Sequence, residues 1–455
     1  MNRSFTRQST LSGEHLDGRF EIGDKVGSGG MSTVYRALDR TSGEFVALKV
    51  LHSNPERFER EAQLLAEVEH PHIVRYVAHG STPNGSRYLA MEWLDGQDLE
   101  EVLQARETLG IDETLLLLQI VSEALGAAHA QGVTHRDIKP SNIILVGGEI
   151  ESAKLIDFGV AKFTDGTQRV TRTGIQIGTP GYMSPEQVRG KRDIDARADV
   201  FALGCVAFEC LTGHLPFEAD HAVAVLSKIL FEEAAPVASL RHDVPAQLDI
   251  LIRSMLEKDP AARPADGNAV RAELDALDLL ATAGATQPIN LRDVLALMEQ
   301  QAVTVLVTGT ALPTDLEDTI AEDPGRTASP LPWDALEEKS RGFGAQLELL
   351  AEGTVVAIFS GDGESKRQAS SAADCALAFH GALGAIPIAI ATGLRNDAFH
   401  LPIGEVIDRA VEALATTPDG RVSLDGQTAE LLGDRFAINR LGSSTYLAGR
   451  RTPDE

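Results

Sequence analysis

The chain has 455 residues, 43% of them hydrophobic and 24% charged, with a formal net charge of −26. That length holds two or three domains with sizeable cores, and the excess of carboxylates argues against nonspecific binding to nucleic acid or to an anionic membrane surface. Its three cysteines, Cys205, Cys210 and Cys375, make neither a metal-ligand pattern nor a disulfide framework, which fits a reducing, cytoplasmic setting.

Residues 1–15 are polar, lack the apolar core of a signal peptide, and are expected to be a flexible lead-in. From Phe20 a strand-like run reaches Gly27-Ser28-Gly29-Gly30-Met31-Ser32-Thr33-Val34. Glycines there let backbone N–H groups approach phosphate oxygens, although the same residues also suit a plain hairpin turn. Val46-Ala47-Leu48-Lys49 alternates as a strand, and Arg57–Val68 has helical periodicity and good helix formers. Tyr88–Leu94 reads as a further strand. Leu99–Gln131 reads as two helices whose most apolar run is broken by Gln119, Ser122, Glu123 and His129, so no membrane span is expected.

Next comes His135-Arg136-Asp137-Ile138-Lys139-Pro140-Ser141-Asn142. Asp137 can accept a proton from an incoming hydroxyl, Lys139 supplies a fixed positive charge, and Asn142 offers an oxygen to a hard cation. Transfer of a phosphoryl group from ATP to a hydroxyl needs those services and little covalent chemistry. Asp157-Phe158-Gly159 follows, with a second oxygen ligand for Mg2+. A charged triplet alone is usually solvated surface, but eight residues in this order, with a second carboxylate at this distance, are specific.

This arrangement resembles the eukaryotic-type serine/threonine protein kinases of bacteria, over about Phe20 to Leu280. The resemblance implies a bilobal kinase fold of the α+β class, ATP and Mg2+ as cofactors, and Ser/Thr hydroxyls of proteins as acceptors. It implies catalytic roles for Asp137, Lys139, Lys49 and Glu61, with Lys49 on the α- and β-phosphates and Glu61 paired to it. Glu59, two residues away on a different helix face, is the competitor for that pairing. Val26, Gly27, Gly29, Val34, Ala47, Met91, Glu92 and Leu94 would surround the nucleotide, the last two through their backbone, and Asn142 and Asp157 would hold Mg2+. Ser32 departs from the family's third glycine, and Ser184-Pro185-Glu186 has serine where the family has alanine. Arg263 matches the arginine that pairs with such a glutamate, and Asp199 the aspartate that braces the catalytic loop. Thr171 and Thr173 look like the phosphorylated loop of bacterial kinases, where Arg136 offers a cation to a phosphothreonine. Autophosphorylation is therefore expected there, while Thr179 is expected to pack near Asp137 and Lys139.

Ala281–Pro288 is small and polar and reads as a linker. Beyond it, Ala302–Val307 is strand-like. Another strand begins near Leu347 and includes Thr354–Phe359; Ser371–Leu383 is helix-like, Ile386–Thr392 strand-like and Val406–Ala415 helix-like. Such alternation argues for a smaller α/β layer domain. Asp315–Pro332 is acidic and expected to be an exposed insertion, and Gly361-Asp362-Gly363 a hairpin turn.

The order of these elements, with Val303-Thr304-Val305-Leu306, Glu352-Gly353 and Gly404–Ala410, resembles the ferredoxin-like domain of class III nucleotidyl cyclases. Thr308 and Glu352 stand at that family's metal positions, and Asp408 and Glu412 where it uses asparagine and arginine. Threonine cannot replace a carboxylate charge, and Glu412 puts a negative charge where phosphate oxygens need a positive one. No cyclase activity is expected, which leaves a sensor, dimerisation or docking role. The expected organisation is a flexible stretch at 1–15, a protein kinase domain at 16–280, a linker at 281–298, a degenerate cyclase-like regulatory domain at 299–450 and a tail at 451–455. A homodimer through either domain is compatible with this reading, whereas nucleic acid and membrane are not expected partners. The rival reading is a pseudoenzyme scaffold that binds partners without turnover, against which the complete catalytic set argues.

Overall fold

The computed structural model describes residues 15–29, 32–52, 58–158, 180–191, 193–283, 302–309, 333–351, 353–361, 365–394, 403–442 and 444–451. Its first sheet has six antiparallel strands in the order His15–Leu16, Phe20–Ser28, Ser32–Asp39, Glu44–Leu51, Arg87–Glu92 and Tyr76–Ser81. Alternation sorts the faces of this sheet. Tyr35, Ala37, Val46, Leu48, Val50, Tyr88 and Ala90 fill one cluster, while Leu51, Leu89 and Met91 turn to the other side, with the Phe58–Glu67 helix, and join the main core.

The second lobe is mainly helical, with Ile111–Ala130, Ala196–Thr212, Ala222–Phe231, Ala246–Met255 and Gly267–Ala283 as its long helices. Ala196–Thr212 is apolar nearly all round, as expected for a helix through the middle of a core, and Ala198 to Phe208 are all buried. Asp195 caps its start by accepting from Arg197 N–H (2.9 Å), and Gly213, at φ +76°, ends it in the left-handed conformation that glycine takes without penalty. Gly267–Ala283 runs into the stretch read as a linker from 281.

From Ala302 the elements run Ala302–Thr308 (strand), Trp333–Gly342 (helix), Gln346–Leu349 and Val355–Gly361 (strands), Ser365–Leu383 (helix) and Ile388–Leu394 (strand). These strands pair antiparallel, with Ala302–Thr308 between Val355–Gly361 and Ile388–Leu394. Ile388–Leu394 then continues the sheet through a parallel partner, Val422–Leu424, and the hairpin Phe436–Leu441 and Ser444–Arg450. Where one strand is expected from Leu347 through Phe359, there is a tight hairpin: Leu350 N–H donates to Thr354 O (2.9 Å) and Gly353 turns at φ +90°.

Both faces of this sheet are covered, which accounts for the unbroken burial of Ala302–Thr308. Leu306, Val355, Ala357, Phe359, Ile388 and Ile390 pack with the Ser365–Leu383 helix. Val303, Val305, Val307, Val356, Ile358 and Ala391 belong to the layer on the other face, where the Ile403–Ala415 helix packs on Ala302–Thr308 and Ile388–Leu394, and that layer is continuous with the core of the helical lobe.

Candidate active site

Strand alternation carries Lys49 to the site. Val46, Leu48 and Val50 turn into the cluster on one face, so Ala47 and Lys49 turn to the other. The register sets Val34 opposite Lys49 and Met91 opposite Ala47, and directly opposed side chains share a face. Val34, Ala47, Lys49 and Met91 therefore line one surface. Gly27 pairs with Val34 on the next strand, Val26 is exposed, and Gly29 N–H donates to Ser32 O (2.9 Å). The backbone N–H of Glu92 donates to Arg75 O (2.9 Å). Its carboxylate accepts from Lys154 Nζ (2.6 Å) and Arg75 N–H (2.8 Å). Leu94 lies just beyond, partly buried against the main core.

The His135–Asn142 loop is pinned from below by one buried carboxylate. Asp199 accepts from the backbone N–H groups of His135 (2.7 Å) and Arg136 (2.6 Å) and lies 2.9 Å from His129 Nε2. Arg136 and Asp157 hold φ values of +62° and +60°, a region that a non-glycine residue keeps only when its surroundings impose it. His135 is fully buried; its Nε2 meets Ile156 O at 2.9 Å and its Nδ1 accepts from Asp137 N–H at 3.3 Å. Burial pushes the imidazole pKa down, so the ring is neutral and carries its proton on Nε2. It packs on Phe158 with ring centroids 4.5 Å apart, which joins the catalytic loop to the Asp157 segment.

On this support the reactive groups converge. Asp137 Oδ2 lies 3.4 Å from Lys139 Nζ and accepts from Asn142 Nδ2 at 3.1 Å. Asn142 Nδ2 also donates to Asp137 O (2.7 Å), so its Oδ1 is the atom to present to a cation. Ile156 N–H donates to Asn142 O (3.0 Å), which ties the two segments together. Lys49 Nζ lies 2.9 Å from Asp157 Oδ2. The sequence reading pairs Lys49 with Glu61; Glu61 is on the Phe58–Glu67 helix, and its side chain is outside the described set. Oxygens on Asn142 and Asp157 beside two ammonium groups fit a hard divalent cation and phosphate, the combination ATP and Mg2+ bring.

Gly30, Met31, Thr171, Thr173, Thr179, Glu352 and Asp362 lie outside the described residues. Arg136, read as a partner for a phosphothreonine, donates from Nη2 to Ile194 O (3.1 Å). Glu186 and Arg263 form a buried bidentate pair at 2.9 and 3.0 Å. Two supporting residues escaped the sequence reading. His129 orients on Asp199, and its one signal was a histidine interrupting an apolar helix. Gln187 donates from Nε2 to Arg136 O (2.9 Å), and nothing in its sequence context marks it.

Known serine/threonine-protein kinases resemble this chain in sequence. The chain is 38% identical over 281 residues to the serine/threonine-protein kinase pkn3 of Myxococcus xanthus, covering 58% of this chain and 51% of the relative. It is 38% identical over 272 residues to the serine/threonine-protein kinase PknB of Mycolicibacterium smegmatis, covering 57% and 43%. The chain thus spans about half, or less, of the length of these curated relatives. The solved PknI kinase domain of Mycobacterium tuberculosis aligns over 60% of this chain and 99% of its own with 27% identity and a TM-score of 0.48. Residues 20–274 match the protein kinase domain model, and the chain belongs to the protein kinase family.

Proposed function

We propose that the chain is an active serine/threonine protein kinase that transfers the γ-phosphoryl group of ATP to Ser/Thr hydroxyls of proteins. A protein kinase domain uses ATP and Mg2+, and Asn142 and Asp157 would hold the metal that neutralises phosphate charge. Asp137 accepts the proton of the acceptor hydroxyl, Lys139 faces the transferring group, and Lys49 positions the nucleotide. One observation carries the reading: Lys139 Nζ and Asn142 Nδ2 lie 3.4 and 3.1 Å from Asp137 Oδ2, on a loop braced by Asp199. The pseudoenzyme alternative gains nothing from this geometry.

The finer parts of the proposal are activation by autophosphorylation at Thr171 or Thr173, a cytoplasmic setting, and regulation by a non-catalytic, cyclase-like C-terminal domain. The strand order from Ala302 supports that relationship. Thr308 supports the loss of cyclase chemistry: its hydroxyl is engaged between Gly309 O (2.9 Å) and Val355 N–H (3.0 Å). Asp408 supports it too, being paired with Lys228 of the kinase lobe at 2.7 Å.

The test is phosphosite mapping by mass spectrometry after incubation with Mg2+ and ATP, for the parent and Asp137→Asn. Phosphate on Thr171 or Thr173 in the parent alone is the expected result. Absence of any phosphate transfer together with absence of ATP binding would overturn the enzyme and promote a scaffold.

A further inference from the structure

The Ala222–Phe231 helix reads AVAVLSKILF and is apolar apart from Ser227 and Lys228, the pattern of a helix that needs cover on most sides. Ala224 through Leu230 are all buried. It packs on Pro180–Tyr182, on the Pro185–Val188 helix and against the Ile403–Ala415 helix, whose Ile403, Val406, Ile407, Ala410 and Val411 belong to the same continuous core. Polar contacts fix the register of this seat. Lys228 Nζ lies 2.7 Å from Asp408 Oδ2 with its side chain only 9% exposed. Arg189 makes a bidentate pair with Glu348 at 3.0 and 2.9 Å, and Ala351 N–H donates to Val188 O at 3.0 Å. Glu232 closes on the start of the Ile403 helix so tightly that a Cβ on Gly404 would come 2.5 Å from its Oε1.

The seat is linked to the loop that carries Asp137. Pro180–Met183 lead directly into the Pro185 helix, whose Gln187 donates to the carbonyl of Arg136, one residue before Asp137. The Pro180 segment is thus tied to the loop that carries Asp137, and it forms one wall of a cleft. Across from that wall stands the C-terminal domain, leaving a cleft of about 780 Å³ lined by Pro180, Gly181, Leu215, Phe217, Asp408 and Glu412 among others. A cleft of this size is of the order that takes a small ligand, whereas a folded partner needs about 800 Å² of surface on each side. The outer face of the Ala222 helix, which could supply such surface, is already covered.

We propose that the C-terminal domain is a steric gate on the acceptor face of the kinase: docked, it admits an extended segment to Asp137 and excludes a folded one. The gate rests on the kinase reading above and says which protein substrates that site takes. Asp408 and Glu412, at the cyclase-like positions, are then gate residues that face the kinase lobe.

The test compares one acceptor sequence presented as a short peptide and within a folded domain, using the full chain. Asp408→Lys with Glu348→Arg sets like charges against Lys228 and Arg189; adding Lys228→Glu with Arg189→Glu restores the pairs in swapped form. Gly404→Leu, which drives a side chain into Glu232, parts the helices by a second route. Hydrogen exchange at the Ala222 helix reports undocking. The expected result is a loss of protection, at least a tenfold rise in kcat/KM for the folded acceptor, less than a threefold change for the peptide, and reversal in the swapped variant. Undocking with the folded acceptor unchanged, or with both acceptors losing activity, would overturn the gate. So would unchanged protection in both Gly404→Leu and the charge-reversed variant. Parent and variants all inert toward both acceptors would instead bring down the kinase reading and the gate with it.

Discussion

The backbone N–H of Arg136 donates to the carboxylate of Asp199 across 2.6 Å, and does so from a left-handed conformation, φ +62°. The same carboxylate takes the N–H of His135 at 2.7 Å. Asp199 is wholly buried, so no water stands ready to replace it. Asp199→Asn keeps the shape but offers one acceptor oxygen where two are used. A buried donor left without a partner costs about 1–3 kcal/mol, and relaxation of the loop would misplace Asp137, where an error of about 1 Å costs on the order of 100-fold in rate. The variant should lose about that much kcat, keep its ATP affinity, and unfold at lower urea. Parent-like kcat would show that Asp199 does not set the loop.

How much of this was legible follows from where each interaction sits in the chain. Asp137, Lys139 and Asn142 lie within eight residues of one another, and Asp157 follows closely, so the chemistry proposed for them rests on local spacing. Lys49 is reached through strand alternation, which is also local. Long-range partners are different. Lys228 and Asp408 are 180 residues apart, and no local pattern couples them. The available signal was the apolarity of AVAVLSKILF apart from Ser227 and Lys228, which asks for cover without naming what provides it. The break between Gln346–Leu349 and Val355–Gly361 was missed because the apolar residues on either side read as one strand, and the turn depends on Gly353 at φ +90°.

Arg263 and Glu186 should be unequal partners. Arg263 bonds Glu186 through two nitrogens and also donates to the carbonyls of Glu257 (2.6 Å), Arg197 (3.0 Å) and Lys258 (3.2 Å). Removing Arg263 leaves three carbonyls and a buried carboxylate unserved, whereas removing Glu186 leaves the guanidinium with its three carbonyls. Breaking a buried pair from one side costs about 3–5 kcal/mol. Arg263→Ala should therefore fall in that range and Glu186→Ala below it, as read from urea unfolding. Equal losses would mean that the ion pair alone carries the effect.

The neutral His135 gives stability a direction in pH. Burial holds its pKa below the ordinary 6.5, so between the folded value and 6.5 the unfolded chain binds a proton that the native chain does not. Stability then rises with pH through that window and is lost as pH falls below about 6.5. The contribution is fully present above 6.5. His135→Asn removes the titration, so the difference in unfolding free energy between parent and variant should grow as pH rises from 5 to 7 and level off above. A difference flat across that range would show that His135 titrates alike in both states.

Gly267 and Gly126 meet where two helices cross, and alanine should be tolerated very differently at the two. A Cβ on Gly267 would lie 2.3 Å from Ser122 O and 2.4 Å from Gly126 N, both backbone atoms that cannot turn aside. A Cβ on Gly126 meets first the Asn268 side chain, at 2.3 Å, which can swing away. Overpacking of this kind costs about 1–3 kcal/mol, and Gly267→Ala should be at the upper end with Gly126→Ala well below it. The consequence also reaches the active site. Gly267 N–H donates to His129 Nδ1 (3.2 Å), and His129 Nε2 lies 2.9 Å from Asp199, so the helix that must shift is bonded to the brace of the catalytic loop. Gly267→Ala should lower kcat as well as stability, measured at a temperature where the variant is still folded. Unaltered kcat in the folded variant would mean that His129 does not transmit the shift.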